Sequence, residues 1–271
     1  MPELPEVETT RRGLAPHVER HKVTAVRLYD RRLRWPVPSD LPRRLVGRVV
    51  DRVERRSKYL LFRLGHDTLI VHFGMTGSMR VYTEPPERRR HDHVDLEFDN
   101  GVVLRYRDPR RFGAMLWSPA GKGDHPLLAA LGPEPLAGAF DSEHLFQATR
   151  KRRAAIKLAL MDSHVVVGVG NIYANEALFR AGIRPTLAAN RISRLRLTRL
   201  VDAVRHTLTD AIAQGGSTLR DYVDSQGRPG YFQQGYFVYG RGGEPCRVCG
   251  NRIRTLRLGG RATCFCPRCQ R

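Results

Sequence analysis

The residue pattern predicts a multidomain α+β protein: a β-sandwich domain behind one N-terminal helix, a helical domain, and a small cysteine-rich β-hairpin module. Three observations carry that expectation. Between Val23 and Ser118 short runs of Val, Leu, Tyr and Phe recur at strand length. After Asp141 the apolar period becomes helical, and all five cysteines fall within the last 26 residues. Strands and helices that occupy separate stretches point to α+β rather than alternating βαβ construction.

Residues from about Glu3 to Glu19 read as a helix, with Leu4, Val7, Leu14 and Val18 as a loose apolar stripe. Lys58–Leu64, Thr68–Phe73 and Val94–Phe98 read as strands. The last is followed by Asp99-Asn100-Gly101 and then Val102–Tyr106, a hairpin signal because Asn-Gly suits a type I′ turn. Strands at this spacing suggest a sandwich or barrel-like domain. The Pro/Gly-rich stretch Ser118–Gly138 reads as a linker carrying one short helix. Helices are then expected from Asp141-Ser142-Glu143, over Ala154–Met161, over Asn171–Ala181 and, long and amphipathic, over Ser193–Gln214. Gly215-Gly216 stops the last of these, and Ser217–Gln234, rich in Gly and polar residues, reads as a mobile loop. The expected divisions are 2–118, a linker over 119–140, 141–234 and 235–271.

Charge narrows the function. Lys and Arg number 47 against 27 Asp and Glu, a formal net charge of +20. A folded chain so basic points to a polyanion, most commonly nucleic acid, with a merely basic protein as the plain alternative. No apolar run reaches the roughly 18–20 residues a bilayer crossing needs, so no membrane partner is expected. Met1-Pro2-Glu3-Leu4-Pro5-Glu6 lacks the basic and apolar regions of a secretory signal, which makes the cytoplasm the expected location.

Cys246-x-x-Cys249 and Cys266-x-x-Cys269 are separated by sixteen residues. Each pair sets two thiolates on one tight turn, and two such turns complete a tetrahedron around one Zn2+. With four thiolate ligands the site is closed, hence structural. The intervening segment reads as a hairpin turning at Gly259-Gly260 and carrying Arg252, Arg254, Arg257 and Arg261. Cys264 is surplus; it reads as a packed free thiol, with competition for the metal as the alternative.

Taken residue by residue, Pro2-Glu3-Leu4-Pro5-Glu6-Val7-Glu8 is an acceptable helix start, since proline suits the first turn and acids favour the positive end of the dipole. Taken with the rest of the chain it reads differently. Met1 through Thr9, His72-Phe73-Gly74-Met75-Thr76-Gly77, Asp108-Pro109-Arg110-Arg111-Phe112-Gly113 and Gly168-Val169-Gly170-Asn171-Ile172-Tyr173-Ala174-Asn175-Glu176 are blocks in one order. Pro229-Gly230-Tyr231-Phe232, Val238-Tyr239-Gly240-Arg241 and Cys266-Pro267-Arg268-Cys269-Gln270 continue them. In this order the blocks resemble the formamidopyrimidine-DNA glycosylase (Fpg) family along nearly the whole chain.

The resemblance implies an N-terminal helix plus β-sandwich domain, and a C-terminal helix-two-turn-helix domain with a β-hairpin zinc finger. It implies a bifunctional DNA glycosylase and AP lyase that removes oxidised purines, 8-oxoguanine and formamidopyrimidines, from double-stranded DNA. Loss of Met1 would expose Pro2 as a secondary amine. An α-amino group ordinarily titrates at roughly 7.7–8.0, so a neutral fraction exists near neutral pH. That amine would attack the sugar C1′ and form a Schiff base, followed by β- and δ-elimination. Glu3 would be the general acid/base and Glu6 would hold the N-terminus. Lys58 is implied as proton donor and phosphate contact, and Arg261 as a phosphate contact serving the elimination step.

A glycosylase takes its nucleotide out of the stack at a cost of a few kcal/mol. By resemblance Phe112 wedges between bases, Met75 fills the void and Arg110 pairs with the orphaned cytosine. Met75 and Phe112 read equally as core residues; Arg110 has no such reading. His72 and Asn171 join Lys58 and Arg261 in the implied phosphate clamp. Lys58 is expected to point outward from a strand whose Tyr59 and Leu61 face the core, and reads otherwise as a surface lysine. Asn171 reads equally as an N-cap, or as an anion site at a helix start. His91 matches a further DNA contact, with a solvated loop histidine as its alternative, and Lys157 is placed near the lesion. Ser217–Gln226 aligns with the family's lesion-recognition loop, where Gly-hinged lids close over a base.

Two rivals remain at this level. An endonuclease VIII-like enzyme for oxidised pyrimidines shares the nucleophile and zinc finger, but its start resembles Pro-Glu-Gly-Pro-Glu rather than Pro2-Glu3-Leu4-Pro5-Glu6. A non-catalytic zinc-finger DNA binder, or a ribosomal-type RNA binder, has no need of Pro2, Glu3 and Glu6 together. A monomer without small-molecule cofactor, bacterial in type and associated with the nucleoid, is the remaining expectation.

Overall fold

The computed structural model describes residues 2–121, 123, 125–217 and 235–271, which fall into two compact units. The first holds the described residues up to Ala129 together with Gln214–Ser217; the second holds Ala130–Ala213 and the described residues from Gly235 onward. The sequence-derived boundary at 141 therefore differs from this partition, as does the assignment of Gln214–Ser217.

The first unit opens with helix α1 (Leu4–Val18), close to the expected span. Glu3 and Glu6 close a capping box at its start, which meets orphan N–H groups of the first turn. Its stripe of Leu4, Val7, Leu14 and Val18 is wholly buried. Eight strands follow, with the short helix α2 (Leu41–Leu45) after the first. They are β1 (Val23–Leu28), β2 (Arg52–Arg56), β3 (Tyr59–Leu64), β4 (Asp67–His72), β5 (Ser78–Tyr82), β6 (Asp92–Phe98), β7 (Val103–Arg107) and β8 (Ala114–Ser118). They form two four-stranded sheets, β1-β6-β7-β5 and β2-β3-β4-β8, in which every pairing is antiparallel. One continuous apolar core joins the sheets, from Val23 and Val94 on one side to Phe62, Val71 and Met115 on the other. That shared core makes the unit a sandwich. The short helix α3 (Pro126–Ala129) lies in the expected linker.

Two turns depart from expectation. The β6–β7 connection is not type I′. Gly101 alone has positive φ (+80°), its N–H donates to Phe98 O at 3.0 Å, and Phe98 N–H donates to Val102 O at 2.9 Å. That is the three-residue loop with a bulge glycine, in which Asn100 stays on the right-handed side. Lys58 lies outside β3, in the two-residue β2–β3 turn beside Ser57 (φ +57°). Leu60, Leu61 and Phe62 are all buried, so strand alternation does not orient Lys58.

The second unit is built from α4 (Ser142–Thr149), α5 (Ile156–Leu160), α6 (Asn171–Arg180), a 3-10 turn (Ala189–Arg191) and α7 (Arg194–Ala213). Asp141 caps α4 by accepting the His144 N–H at 2.7 Å. Helices α4 and α6 both pack on α7, whose Leu197, Leu200, Val204, Leu208 and Ala211 supply an i, i+3, i+4 apolar face. Turns through 161–170 join α5 to α6, the two-turn link between helices. The chain ends in the antiparallel hairpin β9 (Arg254–Leu258) and β10 (Arg261–Phe265). Gly259 (+54°) and Gly260 (+75°) both have positive φ, as a two-residue type I′ turn requires. The expected lesion-recognition loop (Ser217–Gln226) and the Pro229–Phe232 block lie outside the described residues, apart from Ser217. None of the described helices is long and apolar enough to cross a membrane.

Candidate active site and nucleic-acid interface

In the first unit the N-terminal turn is held from behind by one carboxylate. Glu6 is wholly buried; its Oε2 accepts the Glu3 N–H at 2.8 Å and its Oε1 accepts the Ser217 N–H at 2.8 Å. Glu3 and Pro2 are buried as well, so the peptide on which a Pro2 nucleophile would depend is fixed. Gly216 (φ +79°) is required where it sits: a Cβ there would meet the Glu6 Oε1 at 3.1 Å.

His72 ends β4. Its Nδ1 accepts the Gly74 N–H at 3.1 Å, and its ring lies 4.9 Å from that of Tyr59. An accepting Nδ1 leaves Nε2 as the N–H of the neutral ring, a donor suited to a phosphate oxygen. Burial, reinforced by the nearby charges of Lys58 and Arg34, pushes the imidazole down to about 4, so the ring is neutral near pH 7.

Met75, Arg110 and Phe112 are brought together, and all three are exposed. The Arg110 guanidinium stacks 4.8 Å above the Phe112 ring. They stand on two turns pinned together by Asp108, which is wholly buried. Its carboxylate accepts the Thr76 hydroxyl at 2.7 Å and the Gly113 N–H at 2.8 Å. Thr76 Oγ1 in turn accepts the Arg110 N–H at 3.1 Å. The backbones touch: a Cβ on Gly74 (φ +60°) would lie 2.3 Å from the Phe112 carbonyl carbon. A core role for Met75 or Phe112 is excluded by their exposure. His91, half-buried with φ +76°, accepts the Asp108 N–H on its carbonyl at 3.1 Å, and burial, reinforced by the charges of neighbouring arginines, lowers its ring below the ordinary range.

In the second unit Asn171 is the first helical residue of α6 and Gly170 is the N-cap, so the capping alternative is set aside. Its Oδ1 is buried without a hydrogen-bond partner among the described residues. Asn175 joins this terminus to the hairpin: its Nδ2 donates to Asn171 O at 2.6 Å and its Oδ1 accepts the Cys264 N–H at 2.9 Å. Glu176, also buried, accepts the N–H groups of Phe237, Val238 and Tyr239 at 2.8–3.0 Å. Arg252, Arg254, Arg257 and Arg261 are all exposed on or beside the hairpin.

The placement of Lys157 against DNA is corrected. Its side chain is wholly buried, and Nζ donates to Ala262 O at 3.0 Å and Thr263 Oγ1 at 2.7 Å. A lysine buried this deeply is held by its acceptors and is not available to a ligand in solvent.

The four Sγ atoms of Cys246, Cys249, Cys266 and Cys269 lie within 4.8 Å of one another, the arrangement a tetrahedral Zn2+ needs. Backbone turns support it: the Gly250 N–H donates to Cys246 O at 2.9 Å, and the Cys269 N–H points at Cys266 Sγ at 3.4 Å. Cys264 is buried beside Thr255, its Sγ 3.7 Å from Oγ1, and is not one of the four. Sequence reasoning overlooked Asp108, Asn175 and Glu176, each inside a block read for ligand contact. An Asp before Pro109 was a turn signal that marked the first.

Comparison with known proteins agrees with this geometry. The family model for the formamidopyrimidine-DNA glycosylase N-terminal domain matches residues 1–115, that for its H2TH domain 131–223, and a zinc finger found in FPG and IleRS 243–271. Formamidopyrimidine-DNA glycosylases of Pseudomonas putida and Methylococcus capsulatus are each 56% identical over 271 residues, covering 100% of both chains. The crystal structure of the MutM (Fpg) protein of Thermus thermophilus matches with a TM-score of 0.88 at 41% identity, covering 99% of this chain and 98% of that one. A Lactococcus lactis Fpg variant in complex with Fapy-dG-containing DNA matches with a TM-score of 0.91 at 35% identity over 100% of each chain. Matched along its whole length by such relatives, the chain belongs to the formamidopyrimidine-DNA glycosylase family.

Proposed function

We propose that this chain excises oxidised purines from duplex DNA and then cleaves the strand, acting as a base-excision-repair glycosylase and AP lyase. The observation that carries the reading is the Pro2-Glu3-Glu6 turn, in which a buried carboxylate fixes the peptide behind the N-terminal amine. A protein that only grips DNA has no use for it. The Lactococcus lactis complex with Fapy-dG-containing DNA, and that of MutM with carbocyclic 8-oxo-G-containing DNA, support the substrate class.

With Met1 removed, the neutral Pro2 nitrogen attacks C1′ of the damaged nucleotide. The bond from C1′ to the base breaks, and its electron pair leaves with the base, which takes up a proton. Pro2 gives up its N–H proton, Glu3 delivers a proton to the ring oxygen, and the sugar opens to an iminium ion. Loss of a C2′ proton expels the 3′ phosphate, and a second elimination expels the 5′ phosphate. Lys58 serves as proton donor and phosphate contact, while Arg261 holds phosphate during elimination. His72, His91 and Asn171 grip the backbone; Phe112, Met75 and Arg110 occupy the hole left by the flipped nucleotide. Zn2+, held by Cys246, Cys249, Cys266 and Cys269, supplies folding energy to the hairpin that carries Arg261. The division into 2–118, 119–140, 141–234 and 235–271, and action as a cytoplasmic, nucleoid-associated monomer, complete the proposal.

Borohydride trapping on a duplex with 8-oxoguanine opposite cytosine, beside an oxidised-pyrimidine duplex, tests it. The expected result is a covalent adduct mapped to Pro2 and stronger on 8-oxoguanine. No adduct from processed, zinc-loaded protein overturns the catalytic assignment.

A further inference from the structure

A basic feature of the sandwich unit extends beyond the residues assigned above, of which only His91 belongs to it. An open pocket of about 840 Å³ lies between the end of β1 and the loop before β6. Six arginines line it, Arg31, Arg32, Arg88, Arg89, Arg90 and Arg111, against two carboxylates, Asp30 and Asp92. Both carboxylates are already engaged. Asp30 pairs with Arg32 at 2.9 Å and Arg111 at 3.2 Å. Asp92 pairs with Arg107 at 3.0 Å and accepts the Arg89 N–H at 2.8 Å. Arg88, Arg89 and Arg90 are exposed and carry no ion pair among the described residues.

The loop that bears these three is fixed. Arg105, nearly buried, is clamped by Asp95 through two bonds of 2.9 and 2.8 Å and donates to Pro86 O at 2.7 Å. The Asp92 N–H returns to Arg89 O at 3.1 Å. Binding there orders few groups, which favours a ligand that brings only charge. Arg88 already covers one face of the Tyr29 ring at 5.1 Å. His91, which also lines the pocket, has a buried Nδ1 without a hydrogen-bond partner among the described residues. The pocket suits phosphodiester oxygens, for which the guanidinium fork is matched in shape and charge.

The geometry points to Arg88, Arg89 and Arg90 as a further anchor for the sugar–phosphate backbone of duplex DNA, extending the contact assigned to His91. This anchor rests on the reading of the chain as a DNA glycosylase, and it adds affinity that does not depend on damage.

The test compares processed, zinc-loaded full chains on a long undamaged duplex, with Kd measured across a range of salt. Each phosphate contact to B-DNA adds about 0.9 to the slope of log Kd against log salt. Replacing Arg88, Arg89 and Arg90 together by Gln lowers that slope by about 1.8–2.7, two to three contacts. The Lys triple at the same positions restores it. A charge-matched control, R43Q/R48Q/R52Q, at exposed positions outside the pocket, keeps the parent slope. A fall of less than about 0.9 in the Gln triple, or an equal fall in the control, overturns the anchor. Borohydride trapping of the parent, read in parallel, separates this failure from failure of the catalytic assignment.

Discussion

The Glu6 carboxylate accepts the backbone N–H of Ser217 at 2.8 Å, across 211 positions of sequence, while its other oxygen holds the N–H of Glu3. One buried side chain thus fastens the turn behind Pro2 to the chain emerging from α7. In Glu6→Gln the amide offers a single acceptor and turns an N–H₂ toward the second donor. Leaving one buried N–H unmet costs about 1–3 kcal/mol. Thermal denaturation is expected to show the loss, and trapping yield falls with it because Pro2 loses its fixed support.

Glu3 has a different role, and a different signature. Glu3→Gln keeps size and shape but cannot deliver a proton, so single-turnover base excision falls by about 10²–10⁴-fold. Affinity for lesion duplex, measured by gel shift, is unchanged. Parallel loss of both quantities refutes the general acid/base assignment.

His72 predicts a pH dependence with a definite sign. Its folded value, about 4, lies below the ordinary 6.5, so the folded chain binds fewer protons than the unfolded one. Neutral His72 imposes no penalty above about pH 6.5. The penalty grows as pH falls from there toward 4 and is complete below it. Urea denaturation of the parent should lose stability over that window more steeply than His72→Gln. An NMR titration should place the imidazole midpoint near 4 rather than 6.5.

Gly74 cannot be replaced cheaply. Its φ is +60°, and a Cβ would fall 2.3 Å from the Phe112 carbonyl carbon, which belongs to backbone and cannot swing aside. Gly74→Ala is expected to cost on the order of 3 kcal/mol or more, among the larger single-site effects. Denaturation measures that cost, and a rise in Kd for duplex DNA follows from the separation of the two turns.

Chelation separates the units. Removing Zn2+ leaves four thiols within 4.8 Å with no ion to gather them, and the hairpin bearing Arg261 loses its anchor. Hydrogen exchange should rise over 246–271 and stay low in β3, β4 and β7. DNA affinity drops, and one equivalent of Zn2+ restores it.

Much of this was legible in sequence because local chemistry and tertiary role coincide. The CxxC pairs, the Gly-Gly turn and the apolar stripe of α1 are each specified by neighbours in the chain. The failures share a cause. Lys157 reads as a DNA cation because nothing in its spacing shows that β10 covers it with two acceptors. The outward orientation expected of Lys58 rested on strand alternation, a rule that lapses in a sheet buried at Leu60, Leu61 and Phe62 alike. The Asn100-Gly101 turn took the bulged form, which needs one left-handed residue instead of two. Asp108, Asn175 and Glu176 were passed over because motifs list residues without saying which way they face.

The Asp108 staple has a consequence for redesign. Because the turns bearing Met75, Arg110 and Phe112 are locked from beneath, by Thr76 and Gly113 on one carboxylate, the three tips contribute little to holding the scaffold. They behave as exchangeable fittings on a rigid mount. A library that varies those three positions alone can search for new preferences in the base opposite the lesion without first having to rescue folding.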